Sequence, residues 1–260
     1  MRLLVLLLAL LLPSMAAAAC PDLQRHTEFE AEGLGRRAIV LAPESPPPGL
    51  PLIFVWHGLG SDARGMVGRL GLLDLAAHAV VVVPEADPGV DLGWGYTGSG
   101  RHDFAVYDVL RRCAEERFAT DPDRVVSVGW SAGALWSTRL LMERADELAA
   151  VVLFSGGLFA PLITWRSPAW SIPVLTFDGG PWDTYRKGAV LVRFDRNTRR
   201  LVRRLRTAGH HVRHCSHGGG HYLPSYAREV MWAWALSARR GTASTPQMTI
   251  PAWCVEVPGD

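Results

Sequence analysis

The most informative stretch of this sequence is Arg124-Val-Val-Ser-Val-Gly-Trp-Ser-Ala-Gly-Ala-Leu-Trp136. A run rich in β-branched residues ends at Gly129, and a helix-forming run begins after Ser131. This pattern is typical of a nucleophile elbow, a sharp turn from strand to helix with a serine at its tip. We therefore predict that Ser131 is a nucleophile and that the amide of Ala132 faces any negative charge that develops beside it. A five-residue Gly/Ser pattern also arises by chance, so the prediction depends on the sequence around it.

Apolar runs recur along the chain and predict a sheet that is buried on both faces. The predicted strands are residues 37–42, 51–56, 79–84, 124–128, 149–154, 172–177 and 211–215, and the predicted helices are residues 104–118, 132–144, 197–207 and 226–237. Because strands and helices alternate, we expect an α/β fold with a mostly parallel central sheet and helices on both faces. The short link between the strands at 149–154 and 172–177 leaves room for little or no cap domain.

In such sheets the functional residues lie at the carboxyl ends of the strands, and two of these ends supply partners for Ser131. The strand 172–177 leads into Asp178-Gly-Gly-Pro-Trp-Asp183. We favour Asp183 as the acid that orients a histidine, since a loop can bend back over the site several residues past the strand, and Asp178 is the alternative. The last strand leads into Ser216-His-Gly-Gly-Gly-His221, where His221 is the candidate base that takes the serine proton.

A third strand end, that of residues 51–56, leads into His57-Gly-Leu-Gly-Ser61. A glycine-bearing loop at this place supplies the second donor to an oxyanion in folds with a nucleophile elbow. We predict that the amides of Leu59 and Ala132 form the oxyanion hole. His57 itself is expected to be structural.

Three other features carry weaker signals. Trp94, Trp130 and Trp182 are candidate substrate contacts, and Trp165 and Trp170 also fall near the expected rim of the site. The arginines at 196, 199, 200, 203, 204 and 206 accompany an apolar stripe at helical spacing, which favours a solvated helix face. Five histidines at 210, 211, 214, 217 and 221 suggest a metal site, but no carboxylate cluster or cysteine pair completes a ligand set. We therefore predict no metal and no cofactor.

The first 19 residues have the pattern of a signal peptide: a basic start, an apolar run and a small-residue end. Residues 20–260 would then form a single exported domain, secreted or periplasmic. Cleavage would leave Cys20 at the N-terminus, so a lipoprotein anchored to the membrane through this cysteine is an alternative. The four cysteines suit two disulfides, and we favour pairing Cys215 with Cys254. Removing the leader takes away one of 27 basic residues against 25 acidic ones, and this near-neutral balance does not predict nucleic-acid binding.

The residues identified so far resemble a known family. The chain order Ser131, Asp183, His221 is similar to that of the α/β-hydrolase fold over most of residues 36–238. Asp121-Pro-Asp-Arg-Val125 and Gly219-Gly-His-Tyr-Leu-Pro224 resemble segments of secreted esterases grouped with polyhydroxybutyrate depolymerases and feruloyl esterases. The resemblance implies a serine triad that needs no cofactor.

Together these patterns predict an exported serine esterase that cleaves carboxylic esters through an acyl-enzyme. An open site favours bulky or polymeric esters, of polyhydroxyalkanoate or feruloyl type, over those of a lidded lipase. Three alternatives use the same residues: a serine peptidase, a thioesterase, and a catalytically inactive surface-binding lipoprotein of the same fold.

Overall fold

The computed structural model describes residues 20–90, 92–160, 162–188, 190–242 and 251–256, and the predicted signal peptide at 1–19 lies outside them. The strands are β1 (Thr27–Ala31), β2 (Leu34–Leu41), β3 (Leu52–Trp56), β4 (Val80–Pro84), β5 (Val125–Trp130), β6 (Ala150–Phe154), β7 (Val174–Asp178), β8 (Thr184–Lys187), β9 (Val190–Arg193), β10 (Val212–Ser216) and β11 (Val255–Glu256). The α-helices are α1 (Ala63–Arg69), α2 (Leu72–Leu75), α3 (Arg101–Phe118), α4 (Ala132–Arg144), α5 (Phe194–Thr207) and α6 (Arg228–Ser237). Short 3₁₀ turns cover Ala145–Glu147, Gly180–Trp182 and Ser225–Ala227.

Within the described chain, nine strands form one sheet in the order β1-β2-β4-β3-β5-β6-β7-β10-β11. The strands from β4 to β10 in this order run parallel to one another. The outer strands β1, β2 and β11 pair antiparallel at the two sides of the sheet. β8 and β9 form a separate antiparallel hairpin. The carboxyl ends of β3, β5, β7 and β10 therefore meet along one edge of the sheet.

The central strands are buried because helices cover the sheet on both faces. β3, β4, β6 and β7 have no exposed residue. On one face, Phe54 and Trp56 pack in a cluster with Trp136 of α4. On the other, Phe177 packs in a cluster with Trp234 of α6. The prediction of an α/β fold with a mostly parallel, two-sided sheet is confirmed.

Each strand and helix predicted from the sequence has a counterpart in the structure, and several short elements were not predicted. Those are β1, the β8–β9 hairpin, β11, α1 and α2. β1 and β8 carry many polar residues and have exposed positions, so they lack the continuous apolar runs on which the prediction was based. In the described part of residues 155–173, where the sequence predicted little or no cap domain, there is no helix or strand.

Two disulfides tie distant parts of the chain together. Cys215 pairs with Cys254, as favoured from the sequence, and Cys20 pairs with Cys113 of α3. The second bond joins the N-terminal end of the described chain to the helix layer. Among the helices that the structure describes, none is long and apolar enough to cross a membrane.

Candidate active site

The turn between β5 and α4 holds Ser131 in an uncommon backbone conformation, with φ 55° and ψ −118°. Close packing explains the glycines around it. A Cβ at Gly129 would overlap the carbonyl of Gly133, and a Cβ at Gly133 would overlap the carbonyl of Trp56 at the end of β3. The Ser131 amide donates to the carbonyl of Phe154 at 2.9 Å, which fixes the turn against the neighbouring strand.

The loops after β7 and β10 bring two polar side chains to this serine. The Ser131 Oγ lies 2.9 Å from Nε2 of His221, and Nδ1 of His221 lies 2.7 Å from Oδ1 of Asp183. Asp183 is fully buried, whereas 15% of the His221 side chain is exposed. Ser131 is 8% exposed. The three residues thus form a chain of hydrogen bonds that runs from the interior to the open edge of the sheet.

The partners of Asp183 indicate how the protons are arranged. Its second oxygen, Oδ2, accepts a hydrogen bond from the amide of Gly179 at 2.9 Å. The ionised carboxylate accepts at both oxygens, so the His221 Nδ1–H donates to it. Nε2 of His221 is then left as the acceptor for the Ser131 hydroxyl. This is the arrangement that a general base requires before it takes a proton.

Aromatic rings hold the imidazole of His221 in its plane. The ring of Phe194, the first residue of α5, stacks on it with a centroid distance of 4.4 Å and an interplanar angle of 8°. Trp130 lies nearly parallel to it at 5.9 Å, and Tyr185 of β8 is tilted at 6.3 Å. Phe194 was not predicted from the sequence, because the predicted helix began three residues later, at residue 197. The spacing of Phe194 to Leu201, which continues the apolar stripe of α5, was the available signal.

The two predicted oxyanion donors lie on elements next to Ser131. Ala132 is the first residue of α4, and amides in the first turn of a helix have no acceptor within the helix. Leu59 follows Gly58, where a Cβ would lie 3.1 Å from Cβ of Ser131. The loop after β3 therefore passes directly beside the serine.

His57 is buried and bonded within its own neighbourhood, as expected. Its Nδ1 lies 2.9 Å from the carbonyl of Gly58, and its Nε2 accepts from the amide of Ala86 at 3.0 Å. Trp94 donates from Nε1 to the carbonyl of His57 at 2.8 Å. These bonds anchor the loop that contains Leu59.

Known proteins share this architecture and part of the sequence. No family model matches the chain. Feruloyl esterase D of Neurospora crassa is 32% identical over 176 residues, which cover 58% of this chain and 59% of that protein. Feruloyl esterase C of Emericella nidulans is 29% identical over 161 residues, covering 56% of this chain and 58% of that protein. The matches thus span less than two thirds of either relative.

Solved structures match over most of the chain. A native pOPH structure superimposes with a TM-score of 0.72 at 19% identity, covering 93% of this chain and 98% of that one. A ferulic acid esterase superimposes with a TM-score of 0.61 at 17% identity, covering 80% of this chain and 93% of that one. The chain has the α/β-hydrolase fold and is feruloyl esterase-like in sequence.

The second carboxylate of the acid loop, Asp178, has hydrogen-bond partners of its own. Its Oδ2 lies 2.6 Å from Nε2 of His214, and its Oδ1 accepts from Oγ of Ser216 at 2.8 Å and from the amide of Gly180 at 2.7 Å. Burial alone would raise the pKa of Asp178, but the hydrogen bonds from His214, Gly180 and Ser216 outweigh it and hold this pKa below its usual value. Asp178 thus stabilises the turn, and Asp183 is the carboxylate that reaches His221.

The tryptophans expected near the substrate differ in exposure. Trp94 is 1% exposed and packs edge-on against Trp56 at 5.2 Å, so it cannot present its ring to a substrate, and that expectation is wrong. Its loop is folded inward by the bond to the carbonyl of His57 described above. Trp182 is 80% exposed and directly precedes Asp183, and Trp130 is partly buried beside His221. Both remain candidate substrate contacts.

The other two tryptophans expected near the rim, and the clustered histidines, differ in their surroundings. Trp170 is 54% exposed, and Trp165 is partly buried against the core. Of the five clustered histidines, His221 contacts Ser131 and His214 contacts Asp178. In the described ranges of the chain, no three His, Cys, Asp or Glu side chains are grouped so that they could hold a metal ion.

Proposed function

We propose that the protein is an exported serine hydrolase that cleaves carboxylic esters through an acyl-enzyme. The observation that carries this proposal is the continuous hydrogen-bond chain from Ser131 through His221 to buried Asp183. Feruloyl esterases are among the proteins similar to this chain in sequence, and esterases are among its structural neighbours. Both similarities support ester hydrolysis as the chemistry of the site.

In the first half of the reaction, Ser131 attacks the ester carbonyl while Nε2 of His221 takes its proton. Asp183 holds the imidazole by its Nδ1–H and stabilises the imidazolium that forms. The amides of Leu59 and Ala132 are proposed to donate to the oxyanion of the tetrahedral intermediate. Losing one such donor typically slows an acyl transfer about 100- to 1,000-fold. The imidazolium then protonates the leaving alcohol.

In the second half, a water molecule takes the place of the alcohol, and His221 acts as base again. The acyl group leaves as a carboxylic acid, and the Ser131 hydroxyl is regenerated. The ring of Phe194, stacked on His221, keeps the imidazole in one plane during both proton transfers. This packing supports a base that needs little reorganisation between the two steps.

The proposed acyl group is aromatic and of feruloyl type, and the ester is bulky or polymeric. The support is the similarity to proteins named feruloyl esterases and the exposed ring of Trp182 next to Asp183. The described part of residues 155–173 forms no helical cap, which leaves the edge of the sheet open to a large substrate.

Export is proposed from the leader-like residues 1–19 and the two disulfides, since disulfides persist in oxidising compartments. The sulfur of Cys20 is bonded to Cys113, and the same sulfur cannot also carry a thioether-linked lipid. This bond favours the soluble exported form over the lipoprotein form. Intact-mass measurement of the protein from membrane and soluble fractions tests this point.

The function is tested by hydrolysis of methyl ferulate and of p-nitrophenyl acetate, butyrate and octanoate, with a matched amide substrate in parallel. Ser131→Ala should lower kcat about 10⁵-fold on the esters, whereas Ser99→Ala, at an exposed serine, should leave it unchanged. Faster cleavage of the amide than of any ester would favour a peptidase. Wild-type inactivity on every ester, with no labelling by a fluorophosphonate, would refute the proposal.

A further inference from the structure

Charge is distributed unevenly along this chain. Residues 148–228 contain 12 basic residues but only three acidic ones, Asp178, Asp183 and Asp195. All three are buried: the first two are fully enclosed and Asp195 is 7% exposed. Every exposed acidic or basic side chain described in this third of the sequence is therefore positively charged. The chain as a whole has a formal charge of only +2, so the excess is local.

Six of these 12 basic residues lie on α5, which begins at the active site. Phe194, the first residue of α5, stacks on His221, and the helix also contacts β8 and the 3₁₀ turn that contains Trp182. The exposed Arg186 lies on β8. A ligand that enters at Ser131 thus meets this positively charged part of the molecule.

Four arginines of α5 form one exposed surface, which we call the α5 basic face: Arg196, Arg199, Arg203 and Arg204. In the part of the chain that the structure describes, none of the four forms an ion pair. By the rise of an α-helix, Arg196 and Arg203 are separated by about 10 Å along the axis. The opposite side of α5 is buried, as its apolar stripe predicted.

Most arginines on α3 and α4 pair with acidic residues, whereas those of the α5 basic face do not in the described structure. On α3, Arg111 forms an ion pair with Glu115 at 3.0 Å and Arg112 lies 3.9 Å from Glu116, both one helical turn away. Like charges at such spacings destabilise a helix. An amphipathic helix with one solvated face accounts for the buried, apolar side of α5. It does not account for the lack of acidic partners on the exposed side of α5, which the arginines of α3 have.

We propose that the α5 basic face binds a polymer that carries carboxylate groups and so holds its ester groups beside Ser131. Guanidinium groups pair with carboxylates through two parallel hydrogen bonds, and a row of them suits a repeating anion. The part of this inference that makes the bound polymer a substrate rests on the proposed esterase function. Binding of the polymer to the α5 basic face does not depend on that function.

Two other polyanionic surfaces fit the observations less well. A helix that lies in a bilayer surface buries apolar side chains in it, but the exposed residues of α5 are the four arginines and Thr207. Nucleic-acid-binding domains are usually strongly basic overall, whereas this chain has a pI of about 8.5. A carboxylated polysaccharide requires only local charge.

The test compares binding to two soluble derivatives of one polymer, carboxymethylcellulose and neutral hydroxyethylcellulose, by affinity gel electrophoresis. The variant Arg196→Gln/Arg199→Gln/Arg203→Gln/Arg204→Gln removes the face and keeps helix-forming residues. The control variant makes the same charge change at exposed arginines elsewhere, with glutamine at positions 25, 37, 64 and 117. Hydrolysis of p-nitrophenyl acetate by all three proteins reports on the active site separately.

We expect the wild type to bind carboxymethylcellulose but not hydroxyethylcellulose, and to release it between about 0.05 and 0.5 M salt as the charges are screened. The α5 variant should bind at least about ten-fold more weakly, the control variant less than about two-fold more weakly, and p-nitrophenyl acetate hydrolysis should be unchanged in both. Equal binding to both polymers, or equal losses in the two variants, would overturn the inference while leaving esterase activity intact. Salt-sensitive binding only to phosphatidylglycerol vesicles or to duplex DNA would also overturn it. Polymer binding without any ester hydrolysis would instead refute the proposed function and leave the binding face standing.

Discussion

Replacing His214 with leucine should destabilise the protein by about 3 kcal/mol at pH 7, because it removes the partner of a buried carboxylate. His214 and Asp178 are 1% and 0% exposed, and Nε2 of His214 lies 2.6 Å from Oδ2 of Asp178. Nδ1 of His214 has no hydrogen-bond partner in the described structure, so leucine loses only the bond to Asp178. The loss of stability in this variant therefore measures the His214–Asp178 interaction alone.

The magnitude follows from what Asp178 keeps and what it loses. Its Oδ1 retains the hydrogen bonds from Ser216 and Gly180, whereas Oδ2 is left buried and unpaired. Breaking a buried pair in this way typically costs about 3 to 5 kcal/mol. The buried Asp178 carboxylate can avoid this cost by taking up a proton. Protonating a carboxyl of ordinary pKa costs about 4 kcal/mol at pH 7. We therefore expect the lower end of the range.

The dependence on pH has a definite sign. In the wild type the pKa of Asp178 is held below its usual value, so its contribution to stability is present above pH about 4 and is lost as the pH falls through the folded-state pKa. Wild-type stability should not change from this source between pH 7 and pH 5. In the leucine variant the bonds from Ser216 and Gly180 remain, but the bond from His214 no longer offsets burial, so the balance shifts towards the protonated acid. Protonation costs only about 1.4 kcal/mol at pH 5, so the deficit should shrink there.

The assay is urea unfolding at pH 7 and pH 5, with thermal unfolding as a second readout. A loss of about 3 kcal/mol should lower Tm by about 6 to 12 °C for a chain of this size. The double variant His214→Leu/Asp178→Asn removes the charge and keeps an acceptor for Ser216 and Gly180. It should be more stable than His214→Leu at pH 7 and should lose the pH-dependent part of the deficit. A single variant as stable as the wild type, or a deficit equal at both pH values, would refute the reasoning.

Three further perturbations address the turn, the acid and the N-terminal disulfide. Gly133→Ala should lower the free energy of unfolding by about 1 to 3 kcal/mol, because its Cβ would overlap the last carbonyl of β3. The control Gly68→Ala, whose Cβ would meet no atom within 4 Å, should be neutral or stabilising. Equal effects of the two variants would contradict this reasoning. Asp183→Asn should lower kcat for p-nitrophenyl butyrate about 10⁴-fold with little change in KM, since an amide no longer holds the histidine tautomer, and a loss below ten-fold would exclude this role. Cys20→Ser/Cys113→Ser opens a loop whose ends are 93 residues apart in the sequence. It should lower the free energy of unfolding in urea by about 4 to 5 kcal/mol. An unchanged urea midpoint would mean that this disulfide contributes nothing to stability.

Much of the fold could be predicted from the sequence because the central strands are buried on both faces. Continuous apolar runs such as Leu52–Trp56 and Ala150–Phe154 are typical of strands that are buried on both faces. β1 and the β8–β9 hairpin lie where one face meets solvent, and their mixed residues gave no clear run. The pattern of burial, more than intrinsic propensity, separates the elements that were predicted from those that were missed.

The sequence alone determined which residues were available for the site: a serine between two glycines, two carboxylates after one strand and a histidine after another. It favoured Asp183 over Asp178 because Asp183 lies several residues past the strand, but it could not show which histidine each carboxylate reaches. It also could not decide that Trp94 points inward or that Phe194 stacks on His221. Those contacts join residues that lie 37 and 27 positions apart in the sequence. Only packing of the whole chain fixes such distances, since periodicity and turn residues specify local conformation and leave open which loops meet.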